Sequence, residues 1–120
     1  MLGPLIGAGA VVAAASAVAY HSMAPWAQGF GTTFVGRPPT SKQIALTYDD
    51  GPNDPHTLKL LDVLAKDDVR ATFFLIGRYV DRRPDIVRDL LKAGHAIGNH
   101  TLTHPSLVLT GDVQTRIQLE

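Results

Sequence analysis

Between residues 44 and 99 three short apolar runs alternate with two segments of helical periodicity, and that alternation constrains the fold more than anything else in the chain. The first run, Ile44 to Tyr48, has the length and flanking turn residues of a buried strand. Thr57 is a candidate N-cap for the helix that follows, in which Leu58, Leu61, Leu64 and Ala65 recur along one face until Lys66-Asp67-Asp68 interrupts them. The second run, Ala71 to Ile76, is almost continuously apolar, as strands covered on both faces are, and Gly77 ends it. Pro84 opens a second helix with Asp85 near its positive end, Ile86, Val87, Leu90 and Leu91 turned inward, and Gly94 as the stop. The third run is Ala96 to Asn99. Strand, helix, strand, helix, strand with short connections predicts parallel strands joined by right-handed crossovers, an α/β sheet or barrel. A last helix begins near Thr110 to Asp112 and runs through Val113 and Ile117 to the final residue without a stop signal, so the domain is expected to be cut short.

Outside that alternation the chain changes character. From Leu2 to Tyr20 it is almost wholly apolar, and no Asp, Glu, Lys or Arg occurs before Arg37. Its length approaches the roughly 20 residues that cross a bilayer. Residues 1–22 are therefore expected to be a transmembrane anchor or an export signal, with a buried core helix as the alternative. Ala17-Val18-Ala19 suits a cleavage site, whereas the charged leader that precedes a signal's apolar core is missing, so anchor and signal both stay open. Residues 23–41 turn to Gly, Pro, Thr and Ser and include Arg37-Pro38-Pro39, which continues neither a helix nor a central strand. They are expected to be a linker whose aromatics, Trp26, Phe30 and Phe34, either meet a membrane interface or pack on the following domain. Residues 42–120 remain for the globular domain, which is small for an enzyme.

Lys and Arg together number eleven, as do Asp and Glu, and no basic stripe occurs, which sets nucleic acid aside as a partner. With no cysteine, disulfides, thiolate zinc sites and cysteine nucleophiles are excluded, and any metal must be held by nitrogen and oxygen. Both concentrations of such groups fall directly after strands: Asp49-Asp50-Gly51-Pro52 after the first, and His100 and His104 after the third. In parallel α/β folds functional groups collect at the carboxyl ends of strands. In a flat sheet these ends lie about 10 Å apart, at near 4.8 Å per strand, and closing the sheet into a barrel tips them together. Asp50, His100 and His104 could then meet one divalent ion, the two imidazoles offered from one face of a helical turn.

Thr101 follows the first histidine, so the pattern is not His-Glu-x-x-His and a general base must come from elsewhere. Asp49 is the candidate, one carboxylate binding the ion while its neighbour takes a proton from water. An ordinary acidic turn or a satisfied histidine pair would explain either motif alone; their joint placement favours a site. His56 shares the loop of Asp50 and is expected to face solvent at a helix start, with substrate contact as its other role. His95 begins its strand at the far end and is structural, and His21 belongs to the apolar segment.

Thr47 to Pro52 and His100 to Pro105 resemble the two leading motifs of the polysaccharide deacetylases, the NodB-like domain of carbohydrate esterase family 4. Those motifs are Thr-Phe-Asp-Asp-Gly-Pro, here with Tyr48 for the Phe, and His-Ser/Thr-x-x-His-Ser/Pro. Ala71-Thr72-Phe73-Phe74 and Gly94 to His100 also look like family segments, so the resemblance runs from Gln43 to the end. It implies a distorted (β/α) barrel, truncated to its first three or so β/α units and preceded by an apolar helix. The implied activity is removal of acetyl groups from N-acetylglucosamine polymers, peptidoglycan- or chitin-like, or in some members from O-acetylated sugars. The implied cofactor is a divalent metal, zinc foremost and cobalt another, with Asp49 as catalytic base and Asp50, His100 and His104 as metal ligands. The family's later motifs, an arginine with Pro-Tyr, a tryptophan motif and a Leu-x-His that supplies the general acid, have no counterpart here, and Trp26 lies upstream. The 120 residues alone are therefore expected to be inactive and marginally stable, with activity residing in a longer reading frame whose domain is extracytoplasmic.

Three further readings stay open. One is hydrolysis of another non-peptide carbon–nitrogen bond, and the second is a membrane-tethered barrel that binds glycan without turnover. The third is a mononuclear iron oxygenase, since two histidines and a carboxylate suit non-haem Fe(II). The adjacent second aspartate and the absence of a double-sheet strand pattern count against that last one.

Overall fold

The structure, a computed structural model, describes residues 3–24, 26–29, 31–33, 35–36, 40 and 42–120, with side chains from residue 8 onward. Phe30, Phe34 and Arg37-Pro38-Pro39 of the expected linker, and the first residues of the expected anchor or signal, lie outside the described residues. The chain divides into two units, Met1–Gln43 and Ile44–Glu120. In the first, α1 spans Gly3–Met23, and Val11, Val12 and Val18 on it are exposed. Among the described residues no helix is long and apolar enough to cross a membrane. After α1, the Trp26 indole N–H donates to the Tyr20 hydroxyl at 3.0 Å.

The second unit carries the expected alternation: β1 (Thr47–Gly51), α2 (His56–Lys66), β2 (Thr72–Leu75), α3 (Gly77–Val80), α4 (Pro84–Lys92), β3 (Ala96–Asn99), a 3-10 turn at Leu107–Leu109, and α5 (Asp112–Leu119). The strands form one parallel sheet in the order β1-β2-β3, so the two motif-bearing strands flank β2. Phe73 and Leu75 of β2 are buried with Leu64 of α2 and Ile86 and Leu90 of α4 in one cluster. Ile86 and Leu90 are fully enclosed, which stabilises the unit by roughly 1.5–3 kcal/mol for each side chain. Tyr48 stacks on Phe73 with ring centroids 5.3 Å apart, fixing β1 to β2 immediately before the acidic pair.

Several local expectations shift. β1 starts at Thr47 rather than Ile44, because its ladder partner begins only at Thr72; Ile44 has nothing to pair with and is exposed. Burial on β2 alternates, with Thr72 and Phe74 half-buried, so one face is covered more fully than its continuous apolar run suggests. Pro55, not Thr57, holds the N-cap position of α2. Thr57 is instead buried, and its hydroxyl accepts the Asn53 N–H at 2.8 Å, closing the loop that leaves β1. Leu91 faces out, since Ile86 and Leu90 already fill the space beneath α4. Gly94 does end α4: at φ 81° it lets the His95 and Gly94 N–H groups reach back to the Leu90 and Leu91 carbonyls, a Schellman stop.

Candidate metal centre

The carboxyl end of β1 departs from regular strand geometry at one residue. Thr47, Tyr48 and Asp49 pair with Thr72, Phe73 and Phe74, and Gly51 with Leu75, which leaves Asp50 as an extra residue in a bulge. Its φ of 71° lies in the left-handed region that a residue with a side chain seldom enters. A bulge breaks the in–out alternation and re-aims the side chain at that point. Here it turns Asp50 towards the end of β3.

His100 and His104 leave β3 in a loop, not in the helical turn expected from their spacing. Thr101 and His104 have φ values of 66° and 62°, which no right-handed helix accommodates. Pro105 is the local cause that the sequence carries, since proline disfavours the right-handed helical region for the residue before it. The fold-back brings the imidazoles together all the same, with ring centroids 4.8 Å apart.

Every backbone N–H of this loop has a partner outside any helix or strand ladder. The His100 N–H reaches the Leu75 carbonyl at 3.0 Å and the Thr101 N–H the Asn99 Oδ1 at 2.6 Å. The Leu102 N–H meets the Gln118 carbonyl at 2.9 Å, the Thr103 N–H the Gln118 Oε1 at 2.8 Å, and the His104 N–H the Thr101 hydroxyl at 2.9 Å. From the other side, Gly77 and Arg78 at the start of α3 donate their N–H groups to the Thr101 and Leu102 carbonyls, each at 3.0 Å. Gly77 is required there, because a Cβ would stand 2.9 Å from the Leu102 Cδ1 and 3.3 Å from its Cα.

The result is a convergence of one carboxylate and two imidazoles. Asp50 Oδ1 lies 3.2 Å from His100 Nε2 and 3.4 Å from His104 Nε2, and the three ligand atoms fall within 4.8 Å of one another. Ligand atoms 2.0–2.1 Å from a tetrahedral ion stand ~3.3 Å from each other, whereas a charge-assisted hydrogen bond closes to about 2.7–2.9 Å. Both separations are compatible with the edge of a coordination tetrahedron, and this oxygen–nitrogen donor set fits a divalent metal such as zinc. Asp50 and His104 are more than half exposed and His100 is half-buried. Three such donors, two of them more than half exposed, would suit a catalytic ion rather than a structural one, which four protein ligands enclose.

Residues 36–120 match the polysaccharide deacetylase family. The chain belongs to that family. It is 40% identical over 94 residues to a peptidoglycan-N-acetylglucosamine deacetylase of Bacillus cereus, covering 78% of this chain and 34% of the relative. It is 47% identical over 76 residues to a chitooligosaccharide deacetylase of Sinorhizobium fredii, covering 62% and 35%. Among solved structures, a family 4 acetyl xylan esterase from Clostridium thermocellum in complex with a cobalt ion superposes with a TM-score of 0.60 at 38% identity, over 62% of this chain and 37% of that one. The chain thus spans about a third of the length of the curated relatives it matches.

In this deacetylase-family chain Asp49 stands apart from the three gathered groups. It is exposed and lines a separate cavity of about 160 Å³ with Tyr48, Asn53, His56 and Thr57, so His56 shares its surroundings. His95 lies at the opposite end of the sheet, buried, its Nδ1 accepting the Ala71 N–H at 3.2 Å and its ring edge-on to Phe73. Arg83 was not singled out from the sequence, yet it bonds Asp85 at the start of α4 and Asp54 in the loop after β1. Its hydrogen bonds pull the Asp85 carboxyl down to about 2, and both carboxylates, Asp85 foremost, hold Arg83 above its ordinary value. Gln118 is the other unforeseen participant; nothing local marks it, because its partners lie 15 residues upstream.

Proposed function

We propose that Asp50, His100 and His104 hold a divalent ion, zinc foremost, and that the protein containing them deacetylates an N-acetylated polysaccharide of the peptidoglycan or chitin type. The observation that carries this is the pair of Asp50–imidazole separations, 3.2 and 3.4 Å, across two strand ends. The names of the Bacillus and Sinorhizobium relatives supply the substrate class. A bound ion would supply Lewis acidity to the acetyl carbonyl. Asp49, the residue before Asp50, is the base in this reading, its carboxylate turning from the neighbouring cavity it lines to take the proton of the attacking water. Water adds to the carbonyl carbon, the carbon–nitrogen bond breaks, and the sugar amine leaves once a general acid has protonated it. On the same reading the three parallel strands are the opening units of a distorted (β/α) barrel. The domain lies outside the cytoplasm, and residues 1–22 serve as its anchor or export signal.

O-acetyl ester hydrolysis is the second reading, favoured by the likeness to an acetyl xylan esterase. Cobalt titration of the purified chain tests the site itself: one equivalent bound, with binding lost in His100→Ala, is the expected result. Acetate release by the longest reading frame containing these residues tests the activity. N-acetylglucosamine oligomers are expected to be substrates ahead of acetylated xylan, and Asp49→Asn to abolish turnover.

A further inference from the structure

We infer that Gln118 is a positioning residue of the candidate metal centre, holding the His100–His104 loop in its ligand-presenting shape from a different element of the fold. This deepens the proposed function and rests on its metal site. Gln118 sits on α5 with only 6% of its surface exposed, in a chain where buried side-chain polar atoms without a partner are absent among the described residues. Burying an amide costs roughly 1–3 kcal/mol unless its groups are bonded. Here Oε1 accepts the Thr103 N–H at 2.8 Å, Nε2 donates to the Thr103 hydroxyl at 3.0 Å, and the backbone carbonyl accepts the Leu102 N–H at 2.9 Å. All three bonds converge on the two residues immediately before His104.

Of the loop's other amide bonds, the one from His100 to the Leu75 carbonyl ties only its first residue to β2, and those accepted by the Asn99 Oδ1 and the Thr101 hydroxyl are local, within three residues of their donors. Local bonds move with the loop and cannot fix its place. The Gln118 bonds bridge 15 residues, and with α3 holding the Thr101 and Leu102 carbonyls they grip the segment from two sides. Since Thr101 and His104 are both held in the left-handed region, the loop needs outside bonds to stay there. Asn99 Nδ2 donating to the Leu119 carbonyl at 3.1 Å ties the same helix end to the foot of the loop.

The experiment pairs cobalt calorimetry with amide hydrogen exchange of the metal-free chain, on wild type, Gln118→Met and Gln118→Glu. Methionine keeps the volume and removes both polar functions; glutamate keeps the acceptor for the Thr103 N–H. The expected result for Gln118→Met is a cobalt affinity about 10–100-fold weaker, the range typical of groups that orient metal ligands. Faster exchange at the Thr103 amide should accompany it without change at the Ala71 amide in the sheet, and Gln118→Glu should recover most of the affinity. Thr103→Val, an exposed substitution that removes only the hydroxyl partner, should weaken cobalt binding several-fold. Wild-type affinity in both Gln118→Met and Thr103→Val would overturn the inference, as would equal weakening by Met and Glu in step with a general loss of stability. If wild type itself binds no cobalt, the metal site fails, whereas Thr103 exchange in the metal-free chain still reports whether Gln118 holds the loop.

Discussion

The two ends of the sheet put the same side chain to opposite uses. At the amino end His95 is buried, its ring nitrogen paired with the Ala71 N–H and its ring packed on Phe73, and the backbone around it follows a regular helix stop. At the carboxyl end His104 is open to solvent and His100 half-buried, both bonded to the chain mainly through their backbones and directed at a carboxylate. Asp50, Thr101 and His104, at φ 71°, 66° and 62°, all sit in a backbone region that costs of order 1–3 kcal/mol per residue. None of that strain stabilises the core. It is the signature of a rim whose geometry is held by neighbouring bonds, over a body whose packing supplies the stability.

The largest effect that separates the ends is expected from Asp50→Ala. Loss of an outer-shell partner weakens metal binding about 10–100-fold, so removal of a direct ligand should exceed ~100-fold while leaving the melting temperature close to wild type. Cobalt calorimetry with thermal melting checks both, and retained binding would break the contrast. His95→Ala should do the reverse. It strands the Ala71 N–H and opens a cavity, costing ~2–3 kcal/mol in urea denaturation with cobalt affinity unchanged.

Gly77→Ala falls between the two, because the added methyl group presses on Leu102 through its backbone as well as its side chain. About 1 kcal/mol of stability and several-fold in cobalt affinity should be lost together. The smallest effect concerns the Arg83 bridge. Asp85 is held at about 2, below its ordinary 3.8, so its stabilising contribution is present above pH 3.8 and lost as pH falls through 2. A carboxyl-carbon NMR titration should show that midpoint, and Arg83→Ala should return it towards 3.8.

Much of this contrast was legible in the sequence, and the legible part has a common cause. Period and punctuation marked β2, β3, both ends of α4 and the buried pair Ile86 and Leu90, because those features depend on side chains adjacent along the chain. The three gathered residues were also visible, since Asp50, His100 and His104 carry chemistry and follow strands. What escaped depends on contacts between distant segments. The bulge at Asp50 exists only relative to the β2 ladder, and the Gln118 and Arg83 bridges span 15 and 29 residues. The shape of the histidine loop differs from its sequence pattern for another reason: a spacing of four fits a helical turn, whereas Pro105 disfavours the helical region for His104 and the chain folds back instead.

The bulge in β1 has one more consequence. Asp49 and Gly51 stay in register with consecutive residues of β2, so the residue between them belongs to no strand pair. Deleting that single codon would leave the neighbouring ladder bonds able to form while halving the acid content of the rim. In such a lineage, chemistry could be gained or lost in one step over an unchanged scaffold.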